Sequence, residues 1–371
     1  MRSAAPRFAF IDALKAIASQ LIVLHHLAFY GPMSDVANVL APGLFAWLSQ
    51  DARIAVQVFL VIGGYLAAKA LAPAGELTTA APLALVRKRY FKLVVPYLAA
   101  VLLSVLCAFL ARRLMAHDSI PDPASLKQLL AHVVLMQNVL GFDSLSAGAW
   151  YVAIDFQLFV LFLALLWFAR RIGPAGGQSR LLPVALVAGL GLASLFYFNR
   201  ISDWDNWALY FFSAYTLGVF AYWTSADGRP RRPAWLLAIA ALVAVALIID
   251  FRSRIVVALI TALALAASAR YGFIETYPKS RIFAYLGKIS YSVFLIHFPV
   301  VLLTNAMFTR IAPASIIANA VGVALGWAAS IAAGALFYRC VESRSARLLE
   351  LVTGAVARNF ERLALAYKAR L

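Results

Sequence analysis

Two basic side chains in the first apolar segment have the types and spacing of a proton-transfer site. Lys15 and His26 are eleven residues apart, so on an α-helix they share one face and lie about 16 Å apart along the axis. Histidine is the usual general base near neutral pH, and ionisable groups at membrane depth commonly mark function. His26 is therefore a candidate base and Lys15, which Asp12 can neutralise, a second catalytic candidate. A histidine that only hydrogen-bonds neighbouring helices is the structural alternative.

An acid and another histidine lie at matching depth in later apolar segments. Asp155 lies within the segment 148–170, and His297 lies within 282–304. A carboxylate beside an imidazole fixes its tautomer and stabilises the imidazolium, so we expect Asp155 to orient His26. We consider two roles for His297, which are contact with the substrate and simple packing between helices.

Four cations stand within six residues just before the third apolar run, at Arg87, Lys88, Arg89 and Lys92. Such a cluster is typical of a cytoplasmic membrane anchor. A pocket for the phosphates of a nucleotide-like ligand needs the same residue types. The sequence has no phosphate-binding glycine loop, metal-ligand spacing or serine elbow, so we expect no metal.

The apolar runs that carry these residues predict a membrane protein. The chain has 371 residues, of which 64% are apolar and 13% charged, and its mean hydropathy is +0.84. These values exclude a water-soluble globule, and segments of about 20 apolar residues predict spanning helices. We predict an all-α bundle of about ten transmembrane helices, at 10–30, 54–72, 93–113, 148–170, 181–200, 206–224, 234–251, 254–272, 282–304 and 314–338. The segment 126–140 predicts an interfacial or re-entrant piece.

The distribution of positive charge predicts the orientation of these spans. Ten spans place both termini on one side, and that side holds 25 of the 33 Lys and Arg residues. Both termini are therefore expected in the cytoplasm, and the net charge of +17 indicates attraction to anionic lipids rather than nucleic acid. We divide the chain into a transmembrane domain, 1–345, and a basic cytoplasmic tail, 346–371. The first span is not a cleaved signal peptide, because Lys15 lies inside it and no small-residue cleavage site follows.

Five stretches of the chain resemble motifs of the acyltransferase-3 family of integral membrane proteins. They are Phe10–Ala18 running to His26 with a basic-x10-His spacing, Phe59–Tyr65, Arg87–Tyr97, Trp150–Asp155, and Tyr285–Tyr291 running to His297. The likeness extends from about residue 8 to 340. The chain departs from the family pattern with Gln57 for Asp, Gly63 for Ser, Asp155 for Glu and Lys92 for Arg.

The resemblance implies an O-acyltransferase of the bacterial cytoplasmic (inner) membrane that crosses the bilayer many times. The donor is then cytoplasmic acyl-CoA, with acetyl-CoA expected, and the acceptor is a hydroxyl of an extracytoplasmic sugar or glycan. His26 acts as general base or carries the acyl group. Arg87, Arg89 and Lys92 hold the donor phosphates, and Trp150, Tyr291 and His297 contact substrate. A homo-oligomer or a partner subunit is compatible with this role.

Two functions of other classes remain open from the sequence. A transporter that exports a glycan or an acylated precursor also buries histidine and aspartate at mid-depth. A scaffold or regulatory membrane subunit tolerates replacement of Lys15, His26 and Asp155 together. The two halves of the chain show no matching spans broken by glycine or proline, which argues mildly against a transporter.

Overall fold

The computed structural model describes residues 8–78, 81–173, 181–225 and 233–345, and it is 80% helical. The helices are α1 Ala9–Phe29, α2 Met33–Ala37, α3 Pro42–Gln50, α4 Val56–Leu71, α5 Pro82–Leu114, α6 Leu126–Val133, α7 Ala149–Ile172, α8 Leu181–Phe196, α9 Ala208–Ser225, α10 Pro233–Ile249, α11 Ser253–Arg270, α12 Arg281–Ile311 and α13 Ile316–Phe337. Short 3₁₀ turns cover Asn38–Leu40, Ala52–Ala55, Phe198–Arg200 and Ser202–Trp204, and a π-helical turn covers Tyr338–Glu342. With no strand in the described ranges, the predicted all-α class is confirmed. The predicted tail 346–371 lies outside the described residues.

Eight helical segments of the described chain are long and apolar enough to cross a bilayer. They are Ala9–Phe29, Ala52–Leu71, Pro82–Leu114, Ala149–Ile172, Leu181–Arg200, Ser253–Arg270, Arg281–Ile311 and Ile316–Ser345. The multi-pass membrane architecture is thereby confirmed, while the count of ten spans and the orientation of the termini stay predictions.

The two remaining predicted spans correspond to helices that differ from a typical spanning helix. The predicted span 206–224 corresponds to α9, whose Tyr, Trp, Ser and Thr side chains lower its hydropathy. Most of α9 is buried between other helices, which accommodates those polar groups. The predicted span 234–251 corresponds to α10, an apolar helix of 17 residues.

Close packing of α1 against α12 determines where the two intramembrane histidines meet. Gly287 of α12 lies so near α1 that a Cβ there would overlap the backbone of Asp12. A residue without a side chain lets helix backbones approach in the membrane, where the packing of small residues drives association. Further along the same two helices, His26 and His297 come into direct contact.

The region predicted as interfacial or re-entrant contains only the short helix α6. Its first turn is capped by the Ser125 hydroxyl, which accepts from the backbone N–H of Gln128. Its end is tied to α5, because the Tyr90 hydroxyl donates to the Val133 carbonyl at 2.7 Å. His132 Nε2 accepts from the backbone N–H of Leu145, which fixes the following loop. The position of α6 relative to the bilayer stays a prediction.

Candidate active site

The first candidate catalytic residue, His26, is paired with the second intramembrane histidine. His26 Nδ1 lies 2.7 Å from His297 Nε2, and the two rings are nearly parallel with centroids 4.8 Å apart. His297 is fully buried, and His26 keeps 8% of its surface exposed. The ring of Tyr30 stacks on His26 with centroids 5.4 Å apart. His26 therefore contacts two rings near the C-terminal end of α1.

The hydrogen bonds of this pair determine which nitrogen of His26 is basic. His297 Nδ1 lies 3.3 Å from the Val293 carbonyl, which only accepts, so His297 Nδ1 carries a hydrogen. In the neutral ring, His297 Nε2 then accepts from His26 Nδ1–H. This leaves an unshared electron pair on His26 Nε2, the arrangement that a general base requires.

A large polar cavity opens beside His26. Its volume is about 1290 Å³, in the range of sites that take an organic molecule larger than a typical drug. Its wall includes the aromatic residues Trp150, Tyr210 and Phe211 together with Gln57 and Asn206. Aromatic faces and amide side chains together suit a ligand with hydroxyl groups and apolar ring faces. The structure places Trp150, a predicted substrate contact, on this wall.

Asp155 does not contact His26, contrary to our expectation from the sequence. Its carboxylate lies 2.6 Å from Arg89 Nη2, in the interior of the bundle beside Gly63 and Tyr215. The physical reason is that a buried carboxylate is stabilised far more by a guanidinium than by a neutral imidazole. His297 occupies the position beside His26 that we had assigned to Asp155.

The predicted donor-binding cations differ in their contacts. Arg89 is engaged with Asp155 and its guanidinium lies 5.2 Å from the Phe159 ring, so it faces the bundle interior. Arg87 and Lys92 are exposed. Lys92 lies within electrostatic range of Arg89 and of Lys15, and the Lys15 ammonium lies 3.2 Å from Asp12 Oδ1. The structure thus brings Lys15 and Lys92 together, and it separates both from His26.

Two predicted substrate contacts lie away from the cavity. His297 is behind His26 and does not line the cavity. Tyr291 donates its hydroxyl to the Leu93 carbonyl at 3.2 Å, which joins α12 to α5. Both side chains bond to groups on neighbouring helices, and their contact with substrate stays a prediction.

An acid that we did not predict, Glu342, lies with Lys15 and Lys92. Glu342 accepts a 2.5 Å hydrogen bond from Ser292 and lies within electrostatic range of Lys92 and Lys15. A signal was present, because Glu342 is a single acid in the basic stretch Arg339–Arg344 after the last span. It balances part of the positive charge at the end of the bundle away from His26.

Charged residues from the connection between α10 and α11 were also missed. Arg252 and Arg254 line the cavity, and both donate to Asn199. Asp205 lies on the same wall; burial raises the pKa of this carboxyl, and the nearby Arg254 opposes the rise. In the sequence, Arg252 and Arg254 lie in a short charged break, Asp250–Arg254, which predicts only the boundary between two spans.

Comparison with known proteins gives one match. The family model described as an acyltransferase domain, that of the acyltransferase-3 family, matches residues 8–339. No curated protein and no solved structure matches the chain. Within the described residues, His, Cys, Asp and Glu side chains form no group of three or more that could hold a metal ion.

Proposed function

The chain belongs to the acyltransferase-3 family, and from this premise we propose that it moves an acetyl group from cytoplasmic acetyl-CoA to a hydroxyl of an extracytoplasmic sugar or glycan. Membership of the family over residues 8–339 makes the protein a membrane O-acyltransferase. The donor, the acyl group, the acceptor, the bacterial inner membrane and the roles of single residues are the proposed part. The single observation that carries the proposal is His26, with its free nitrogen beside a large polar cavity.

The wall of the cavity supports a carbohydrate acceptor. It combines aromatic rings at Trp150 and Tyr210 with amide and carboxylate groups at Gln57, Asn206 and Asp205. Sugars present hydroxyl donors and acceptors around an apolar ring face, so such walls match them better than they match lipid chains. The acceptor hydroxyl is placed at His26 Nε2, the basic nitrogen of the pair.

The opposite end of the bundle supports a phosphorylated donor such as acetyl-CoA. Lys15, Lys92 and the exposed Arg87 concentrate positive charge there, and lysine and arginine bind phosphate through charge-assisted hydrogen bonds. Lys15 lies about 16 Å below His26 along α1. An extended pantetheine arm rising through the bundle would carry the thioester from this cluster toward His26.

In the proposed reaction, His26 acts on the acceptor while His297 keeps its ring in place. His26 Nε2 takes the proton as the acceptor oxygen attacks the thioester carbonyl, and His26 then gives this proton to the departing thiolate as the bond from carbon to sulfur breaks. His297 accepts from His26 Nδ1–H, which fixes the tautomer of the base. Proton transfer to a positioned base contributes about 10²–10⁴-fold in rate, and alignment of the two substrates contributes the remainder.

The proposal is tested by the variant His26→Gln in cells that lack the native gene and carry a plasmid copy. O-acetyl groups released from envelope sugars by mild alkali are measured, and protein level in the membrane is measured in parallel. We expect the wild type to restore acetylation and His26→Gln to abolish it at equal protein level. His25→Gln is the matched control, because His25 Nδ1 is bonded to the Leu48 carbonyl, a role that glutamine can replace. Full acetylation by His26→Gln would exclude His26 as the base.

A further inference from the structure

A second histidine site lies at the outer mouth of the cavity, in the loop between α5 and α6. His117 Nδ1 lies 2.9 Å from Ser119 Oγ, and His117 Nε2 lies 3.3 Å from Asp35 Oδ2. The three side chains therefore form a Ser–His–Asp series, with Asp35 contributed by α2. Such a series is recognised by geometry and roles rather than by the order of residues in the chain.

The hydrogen bonds around His117 assign its tautomer. The backbone N–H of Ser119 donates to His117 Nδ1 at 3.1 Å, so this nitrogen carries no hydrogen in the neutral ring. Nε2–H then donates to the Asp35 carboxylate. The unprotonated Nδ1 faces the Ser119 hydroxyl, as a base must to activate a serine nucleophile. In serine proteases Nε2 is the base and Nδ1–H contacts the aspartate. Here the two nitrogens exchange these roles, with Nδ1 as the base and Nε2–H on Asp35.

The loop that carries His117 and Ser119 is fixed at several points. Arg112 donates to the Pro121 carbonyl, and Ile120 packs on the apolar cluster that also contacts Tyr30. The Asp35 carboxylate lies against Gly31, where a Cβ would overlap it, and the Asp35 side chain is 62% exposed. The loop that carries His117 and Ser119 is thus held in place, and the exposed Asp35 carboxylate approaches it from α2.

The position of this series relative to the cavity makes it accessible to a substrate. His117 and Ser119 both line the cavity that contains His26, and the His117 side chain is 29% exposed. The Ser119 hydroxyl donates to the carbonyl of Gly31 at 3.2 Å, and because a hydroxyl hydrogen rotates, His117 Nδ1 at 2.9 Å is its second acceptor. Gly31 follows Tyr30, whose ring stacks on His26.

We propose that Ser119, His117 and Asp35 form an esterase site, distinct from the proposed transfer at His26, that cleaves oxygen esters of short acyl groups. Ser119 Oγ attacks the ester carbonyl carbon while His117 Nδ1 takes its proton. The bond to the alcohol oxygen breaks, and His117 returns the proton to that oxygen, leaving an acyl-serine. Water then attacks the acyl carbon, His117 takes the proton of the water and gives it to Ser119 Oγ, and the carboxylic acid leaves. The sum is ester plus water giving acid plus alcohol.

The test uses the full-length protein in detergent, with an aryl fluorophosphonate and with p-nitrophenyl acetate as probes. A fluorophosphonate reacts with an activated serine and needs neither acyl-CoA nor a sugar, so its result is independent of the proposed transfer. We expect labelling at Ser119, located by peptide mass spectrometry and absent in Ser119→Ala. His117→Ala is expected to lower both labelling and ester hydrolysis by about 10²–10⁴-fold.

Two further variants separate an activated serine from a structural loop contact. Ser144→Ala is the matched control, because the Ser144 hydroxyl lines the same cavity but donates to Asn138 rather than to a histidine; it is expected to react like wild type. Asp35→Asn is expected to slow labelling without changing thermal stability. Absence of label at Ser119, or equal labelling in His117→Ala, would overturn the proposal whether or not acetyl transfer is observed.

Discussion

At the scale of single residues, the pair His26–His297 explains how a histidine at membrane depth can serve as a base. The chain of contacts from the Val293 carbonyl through His297 to His26 fixes both tautomers without any charged group. A neutral series avoids the desolvation cost that an ion pair would carry in the bilayer interior. This arrangement makes His297 a positioning residue for the base.

Replacing His297 by alanine is expected to lower kcat of acetyl transfer by roughly ten- to a hundredfold, because His26 loses its orientation. KM for acetyl-CoA is expected to stay nearly unchanged, because the donor site is intact. Steady-state kinetics of the purified variant measure this split. His297→Gln, whose amide can still accept from His26 Nδ1–H, is expected to recover part of the rate. A raised KM with unchanged kcat would show that His297 contacts substrate, as we first expected from the sequence.

The ion pair Arg89–Asp155 is the other residue-scale feature, and we expect it to stabilise the bundle. Asp155→Asn leaves Arg89 without its partner, which costs about 3–5 kcal/mol for a fully buried pair. The cost is expected to be smaller here because the Arg89 side chain is 32% exposed. The double variant Arg89→Gln with Asp155→Asn is expected to be more stable than Asp155→Asn alone. Thermal unfolding in detergent measures both, and equal stability of the single and double variants would contradict a coupled pair.

The sequence predicted the candidate residues of the site better than their partners. His26 and Trp150 could be selected because their types and depth are unusual, and both line the cavity. The partner of Asp155 could not be inferred, because it depends on how far α5 is displaced along α7, which no local pattern records. Ser119 and His117 had no signal at all, since their pairing with Asp35 is created where the loop after α5 meets α2.

At the scale of helices, α4 and α9 approach each other closely. A Cβ on Gly64 of α4 would overlap the Tyr215 carbonyl of α9, and a Cβ on Gly218 of α9 would overlap the Val61 carbonyl of α4. Each glycine therefore faces the backbone of the other helix. Such paired small residues allow close packing between helices in lipid, and they hold α9, with its polar side chains, inside the bundle.

Gly64→Ala is expected to destabilise the protein by about 1–3 kcal/mol, because the added methyl group forces the two backbones apart. Gly189→Ala is the matched control, since a Cβ at that position meets no atom within 4 Å, and we expect its stability to equal that of the wild type. Thermal unfolding of the two purified variants provides the comparison. Equal melting temperatures for Gly64→Ala and wild type would contradict the close contact.

The positions of the apolar helices could be predicted from the sequence, whereas the burial of each helix between its neighbours could not. Eight predicted spans coincide with helices that are long and apolar enough to cross a bilayer. The predicted span 206–224 corresponds to a helix whose polarity is tolerated through burial between neighbours, which is a tertiary effect that hydropathy does not contain. The segment 126–140 resolved into the eight-residue helix α6 and turns, because its polar residues bond within the loop.

At the scale of the whole molecule, the two ends of the bundle differ, because one holds a large cavity and the other holds a cluster of charged side chains. One end has a cavity of about 1290 Å³ with His26 in its wall. The other end collects Lys15, Lys92 and Glu342. A donor bound at one end and an acceptor at the other would allow transfer across the bilayer without movement of the whole acceptor.

The most direct test of this central claim measures on which side of the membrane acetylated sugars accumulate. It uses inverted membrane vesicles from cells that produce the protein natively. The orientation of the protein is read from the exposed Cys340, which an impermeant maleimide should label from the cytoplasmic face. With radiolabelled acetyl-CoA added outside, wild-type vesicles are expected to accumulate alkali-labile label on sugars in the lumen, and His26→Gln vesicles to accumulate none. Label confined to the outer face, or equal lumenal label in the His26→Gln vesicles, would contradict the account.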